Sequence, residues 1–280
     1  MMNSTVINQA IQAAFAADAY CLGAHWIYDW ELLDSLNIDW QNLNAPQAKW
    51  HTGKQKGDYT HYGDHGLWLH QFVLERGRFD ISVYAEFWRH KMQTYTGYID
   101  ASSRETLKIL EAKPSSVVGS NSSDLSIIGR IAPLLLVNTN EENFLESVES
   151  FVKFTHNCPR VLKAASYFAS VLFATAAGST IEKALHETKI AAILQETLNS
   201  ATASKGADTS NTIRNFGPAC GVNGAFEGAV HLLCSYENYQ YAIIANARAG
   251  GDSAARGMLV GMIMGAAGCT IPGAWQKKTG

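Results

Sequence analysis

The chain has 280 residues, the length of two average domains or one large one. Hydrophobic residues make up 47% and charged residues 17%, which excludes a disordered chain. Twenty-two Lys plus Arg against 25 Asp plus Glu give a formal net charge of −3, so there is no general basic field for nucleic acid and no long acidic tail.

The N-terminal stretch up to Tyr20 has no basic region and carries Asp18, which argues against a signal peptide. Val6, Ile7, Ile11, Ala14, Phe15 and Ala19 in the same stretch recur at three- and four-residue steps and predict an amphipathic helix. The residues from Asp34 to Thr60 read as a long polar and aromatic loop. Helical periods return at Leu67–Arg76, Asp80–Tyr95 and Arg104–Ala112, and a Ser-rich loop follows at Lys113–Asp124. Further helices are predicted over Ile127–Val137, Glu141–Phe154, Pro159–Ala177 and Ile181–Asn199. Asn140 and Ser179 or Thr180 are the expected caps, with Gly178 closing the helix before the second of these. Ser200–Asn215 reads as loop, and helices follow over Ala225–Tyr236, Asn238–Arg248 and Ala254–Gly268. No run alternates in the manner of a strand. The expectation is therefore one all-α domain spanning residues 1–280, built from about ten helices. The longest apolar run, Gly257–Cys269, is too short to cross a bilayer, so no membrane partner is expected. Five Cys at 21, 158, 220, 234 and 269, with no close pair, read as reduced thiols of a cytoplasmic protein.

Four segments concentrate chemistry. Asp18 lies inside the first apolar helix, where a carboxylate needs a partner, and His25, Tyr28 and Asp29 follow the helix end near Gly23. Residues 57–65 hold Asp58, Asp64, His61, His65, Tyr59 and Tyr62 just before an apolar helix, a density beyond what a helix cap requires. Gly250 and Gly251 permit a tight turn into Asp252, Ser253 and Arg256. Gly257, Gly261 and Gly265 then leave one face of the last helix bare, which predicts close packing against another helix near the centre of the fold. A cation in a first helical turn opposes the helix dipole, so Arg256 is expected to be drawn to an anion, with Asp64 or a ligand as candidates. Thr155-His156, finally, turns into a helix that begins at Pro159.

In this order the segments resemble the ADP-ribosylglycohydrolase family, from about residue 10 to 276. Asp18 with Leu22-Gly23 matches the family's Gly-Asp-Ala-Leu-Gly, and Tyr62-Gly63-Asp64-His65 its Thr-Asp-Asp-Thr. Gly129–Leu134 matches Met-Arg-Ile-Ala-Pro-Leu, Thr155-His156 matches Thr-His, and Gly250–Ala255 matches Gly-Gly-Asp-Thr-Asp-Thr. Ile271-Pro272 and Trp275 match the family's closing motifs. The resemblance implies an all-α fold and a hydrolase of a glycosidic bond to ribose, acting on a small-molecule or ADP-ribosylated substrate. It also implies two Mg²⁺ ions held by the two Asp pairs. Here Gly63 and Ala254 each replace one Asp, so the expected reading is a hydrolase without the dinuclear Mg²⁺ centre and with no other cofactor. Asp64, Asp252 and His65 are the catalytic candidates. Substrate contacts are expected from Asp18, His25, Asp29, His61, Tyr62, His156, Gly250, Gly251, Ser253 and Arg256. The alternative is a non-catalytic binding or structural protein, since some lens crystallins resemble the same family.

Overall fold

The computed structural model describes residues 3–276. It is built from α1 (Ser4–Cys21), α2 (Trp30–Ser35), α3 (His61–Arg76), α4 (Ile81–Gln93), α5 (Ala101–Ala112), α6 (Glu141–Thr155), α7 (Pro159–Ala176), α8 (Ile181–Glu187), α9 (Ala192–Ala203), α10 (Thr209–Phe216), α11 (Val222–Ser235), α12 (Tyr239–Arg248) and α13 (Ser253–Ala266). Short 3₁₀ turns lie at Lys49–His51, Ser126–Arg130, Ala132–Leu136 and Gly273–Trp275. No strand occurs among the described residues. Three isolated antiparallel bridges join Ile27 to Gly251, Asn121 to His156 and Asp124 to Gly221. No helix among the described residues is long and apolar enough to cross a membrane.

All of α13 is buried, and it packs against α1, α7, α11, α12 and the turn at Ser126–Arg130. The bare glycine face explains this. A methyl group at Gly257 would come within 2.9 Å of Cys21 Sγ, at Gly261 within 2.7 Å of the Ala13 carbonyl, and at Gly265 within 2.6 Å of Ala13 Cβ. The backbones of α1 and α13 are therefore in close approach, and this pair is the axis on which the other helices are laid.

Several predicted elements differ. Ile127–Val137 forms two 3₁₀ turns instead of a helix, because Pro133 has no N–H to offer the carbonyl of Gly129. Ile181–Asn199 divides into α8 and α9. Leu185 and Leu194 are both buried but nine residues apart, which in a continuous helix would set them on opposite faces. The Asp34–Thr60 segment contains the end of α2 and a 3₁₀ turn, and Ser200–Asn215 contains most of α10, which Asp208 caps by accepting a hydrogen bond from the Asn211 amide at 2.8 Å. Asn140 and Thr180 cap α6 and α8 as expected.

Candidate functional site

The turn before α13 sets the position of Asp252. Gly250 and Gly251 have φ of 72° and 66°, a region that favours glycine. A side chain at Gly250 would also meet the Ile27 carbonyl at 2.8 Å, and one at Gly251 would collide with the Pro218 carbonyl. This close approach lets the Gly251 amide donate to Ile27 O at 2.8 Å and the Trp26 amide donate to Gly251 O at 2.8 Å. Trp26 adopts a left-handed φ of 63°, the one non-glycine residue to do so among the described residues. Such strain persists only where the surroundings impose it.

Asp252 is fully buried. Its Oδ2 accepts a hydrogen bond from the Tyr62 hydroxyl at 3.2 Å. Oδ1 accepts no hydrogen bond, and His25 Nδ1 lies 3.5 Å from it. Burial, reinforced by the nearby Asp124 carboxylate, pushes the Asp252 carboxyl up to about 8. Burial also raises Asp124, to about 6.

Asp124 and Cys220 come to Asp252 through backbone pairing. The Leu125 amide donates to Cys220 O and the Val222 amide to Ser123 O, both at 2.9 Å, while the Asp252 amide donates to Pro218 O at 2.8 Å. One ligand-type atom from each of Asp124, Cys220 and Asp252 lies within 4.8 Å of the other two. Among the described residues this is the one such group of three metal-ligating side chains. Sequence reading missed Asp124 and Cys220. Neither carries a local signal, and their proximity exists only through these inter-loop hydrogen bonds.

A chain of rings leads away from Asp252. His25 stacks on Trp26 at 4.5 Å and on His51 at 5.2 Å, and His51 stacks on His61 at 5.8 Å. Tyr98 meets Trp26 and His61 edge-on, and Trp50, 48% exposed, closes the group at the surface. His25 Nε2 and both ring nitrogens of His51 and His61 have no hydrogen-bond partner. Burial lowers all three imidazoles, His51 to about 3, so they are neutral. His61 Nε2 has only a 3.5 Å approach from Asp100.

The other expected residues take different places. Thr60, not Asp64, caps α3, and Asp18 accepts from the Thr60 amide at 2.7 Å and from its hydroxyl at 2.6 Å. Burial raises the Asp18 carboxyl to about 7. A side chain at Gly63 would collide with Asp18 Oδ2 and approach Tyr59 Cβ to 2.7 Å, so Asp18 occupies the space an Asp at 63 would need. Asp64 lies one turn into α3, where Oδ2 accepts from Lys54 Nζ at 2.6 Å and from the Tyr95 hydroxyl at 2.7 Å. It makes no hydrogen bond or ion pair with Asp252. The residues of the α3 start that face the Asp252 centre are Tyr62, through its hydroxyl, and His61, through the ring chain. A match shifted by two residues, with Thr60 as the motif's first threonine, thus sets His61 and Tyr62 where the family has its Asp pair.

His65 stacks on Trp68 at 4.4 Å and faces Arg130, and its burial, reinforced by the Arg130 charge, keeps it neutral. It stands away from Asp252 and carries no charge to serve as a cationic acid there. His156 bonds to Thr155 Oγ1 at 2.8 Å, and Asp29 is the exposed cap of α2, accepting from the Leu32 amide at 3.0 Å. Ser253 Oγ is buried without a partner beside Asp252. Arg256 departs most from expectation. Its guanidinium donates to Asn246 Oδ1 at 3.0 Å, Pro218 O at 2.9 Å and Gly250 O at 2.7 Å, bracing the 218 loop against the 250 turn. It makes no ion pair with Asp64 or Asp252, although its field lowers the Asp252 carboxyl.

A dinuclear Mg²⁺ centre does not fit these residues. Mg²⁺ demands near-octahedral oxygen coordination. Here Asp64 is taken by Lys54, a phenol sits on Asp252, position 254 is an apolar Ala and the space beside Gly63 is filled.

A family described as ADP-ribosylglycohydrolase matches the sequence over residues 7–280. Two curated relatives are Crystallin J1A and Crystallin J1B of Tripedalia cystophora, 22% and 23% identical, each match covering 96% of this chain and 90% of the relative. A solved structure titled "ADP-ribosylglycohydrolase-related protein complex" is similar at TM-score 0.72 and 18% identity, over 98% of this chain and 92% of that one. The fold is the same all-α architecture.

Proposed function

The chain belongs to the ADP-ribosylglycohydrolase family, and from that premise we propose that it hydrolyses an N- or O-glycosidic bond to a ribose at the Asp252 centre, without a dinuclear Mg²⁺ pair. The observation that carries this reading is the meeting of two carboxylates, Asp252 and Asp124, beside a chain of neutral rings that runs from buried His25 to exposed Trp50. Cleavage of a glycosidic bond passes through an oxocarbenium-like state, which requires a carboxylate facing the anomeric carbon and an oriented water. Asp124, raised only to about 6, is the carboxylate for these tasks, and Asp252, raised to about 8, is the carboxyl that carries the proton for the leaving group. Tyr62, hydrogen-bonded to Asp252, fixes its orientation. Trp26, Trp50, His51 and Tyr98 offer flat surfaces for a base or sugar face. Asp64, neutralised by Lys54, has no part in the chemistry.

The test is release of free ribose or ADP-ribose from N- and O-linked substrates, both small ribosides and ADP-ribosylated protein, by wild type and Asp252→Asn. Release by wild type, lost in the variant, is expected. A folded protein inactive on every substrate would overturn the reading. It would leave the second one, a structural role, which the two relatives named crystallins favour.

A further inference from the structure

We infer that Asp124, Cys220 and Asp252 bind a single divalent ion of the Zn²⁺ or Co²⁺ class, in place of the hard Mg²⁺ pair that the chain can no longer hold. The inference rests on the same Asp252 centre as the proposed hydrolysis but concerns binding.

The donor set is this chain's own. Two of its three members come from segments outside the matched Asp pairs: Asp124 from the loop before the Ser126–Arg130 turn, and Cys220 from the loop before α11. The three segments are pinned by the Asp124–Gly221 bridge, the Leu125 amide on Cys220 O, and the Asp252 amide on Pro218 O. Arg256 adds a further brace from α13 to Pro218 O. The three loops are thus held by backbone, and the Cys220 thiol is hydrogen-bonded to the Asp124 carboxyl.

A second observation points to a ligand. Asp252 Oδ1 is buried and accepts no hydrogen bond, although the other oxygen of the same carboxylate is satisfied by Tyr62. A buried carboxylate oxygen without a donor is costly unless a cation or proton meets it. The obvious internal cation, Arg256, is already bonded at all three points to Asn246 and backbone carbonyls. Asp124 has one oxygen satisfied by the Ser126 amide at 2.7 Å.

The chemistry of the set selects the ion. A thiolate is a soft donor and suits Zn²⁺ or Co²⁺, whereas Mg²⁺ prefers oxygen alone. Three protein ligands with an open fourth position is the arrangement of catalytic Zn²⁺ sites. Bonds of about 2.0–2.3 Å place tetrahedral donors roughly 3.5 Å apart. Donor atoms now within 4.8 Å need close by only about 1 Å, a change within side-chain rotation. On binding, the Cys220 S–H bond breaks, its proton leaves to solvent and the sulfur lone pair forms the bond to the metal.

The test is a Co²⁺ titration of the full chain, stripped with chelator and desalted, followed by absorption spectroscopy. The expected result is one equivalent bound, with a thiolate-to-cobalt charge-transfer band that millimolar Mg²⁺ does not remove. Cys220→Ser should abolish the band and weaken binding at least about tenfold. Asp124→Asn should weaken binding by a similar factor, and Cys234→Ser should leave the spectrum unchanged. Absence of the band, its survival in Cys220→Ser, or its removal by Mg²⁺ would overturn the inference. Ribose release is measured on the same samples. Binding without hydrolysis keeps the ion site and rejects the enzymatic reading, whereas hydrolysis without the band does the reverse.

Discussion

Two buried acidic regions flank the centre, and they are built to opposite ends. On the α3 side, Asp18 is closed by two hydrogen bonds from Thr60, and Asp64 by Lys54 and Tyr95. On the α13 side, Asp252 keeps one oxygen unpartnered, Asp124 stands beside it, and the nearest guanidinium is spent on backbone carbonyls. Buried polar atoms are normally hydrogen-bonded from within. The α3 side follows that rule and reads as framework. The α13 side breaks it, and an acidic group with an unpartnered oxygen, rigidly held, is what a ligand or reacting carbon would complete.

The contrast can be broken or sharpened by substitution. The largest effect is expected at Asp18. Its carboxyl is raised from 3.8 to about 7 in the folded chain, so the folded state binds the proton more tightly than the unfolded state. Stability from this group is fully present below pH 3.8 and is lost as pH rises through about 7, a change of about 4 kcal/mol. Asp18→Asn should flatten that dependence in urea unfolding measured from pH 4 to 8. Asp18→Ala should cost about 3 kcal/mol, because it strands the buried Thr60 amide and hydroxyl. Gly63→Ala comes next, at about 2 kcal/mol, since its methyl collides with Asp18 and Tyr59; thermal melting reads it. Tyr62→Phe crosses to the other region. It should change stability by about 1 kcal/mol yet reduce turnover, because it frees the carboxylate that hydrolysis needs held. The smallest change is expected from Lys54→Met. Its ion pair with Asp64 is partly exposed, so chemical denaturation should shift by less than about 1 kcal/mol, with turnover unaltered. A large loss of turnover in Lys54→Met would move the chemistry to the α3 side and dissolve the contrast.

How much of this was legible in the sequence follows from the range of each interaction. The glycines at 257, 261 and 265 announced that α13 packs closely against another helix, because a four-residue spacing states directly which helix face is bare; that the partner is α1 came only from the fold. The Gly-Gly-Asp turn was legible for the same reason, its positive φ angles being written in residue type. The start of α3 was not. Thr60 and Asp64 are both good helix-start residues, and only the bonds that Thr60 donates to Asp18 decide between them. The resulting two-residue shift in the motif match put Asp64 opposite Asp252, where the fold places Tyr62. Arg256 was misjudged because the acceptors that satisfy it are carbonyls, which have no sequence signature. Asp124 and Cys220 stand 96 residues apart in the chain, and Asp252 lies 32 beyond Cys220. Nothing periodic links them, since their meeting depends on single backbone bridges between loops. Short α2 and α10 escaped because six and eight residues carry too little of a period to register.

The most direct test of the central claim, that chemistry resides on the α13 side, is the turnover of a ribosyl substrate by Asp252→Asn, Asp124→Asn and Asp64→Asn compared at equal folded fraction. The account predicts that the first two fall by about a hundredfold or more, as loss of a reacting carboxylate demands, while Asp64→Asn stays within about twofold of wild type. Full activity in Asp252→Asn, or a collapse confined to Asp64→Asn, would contradict it.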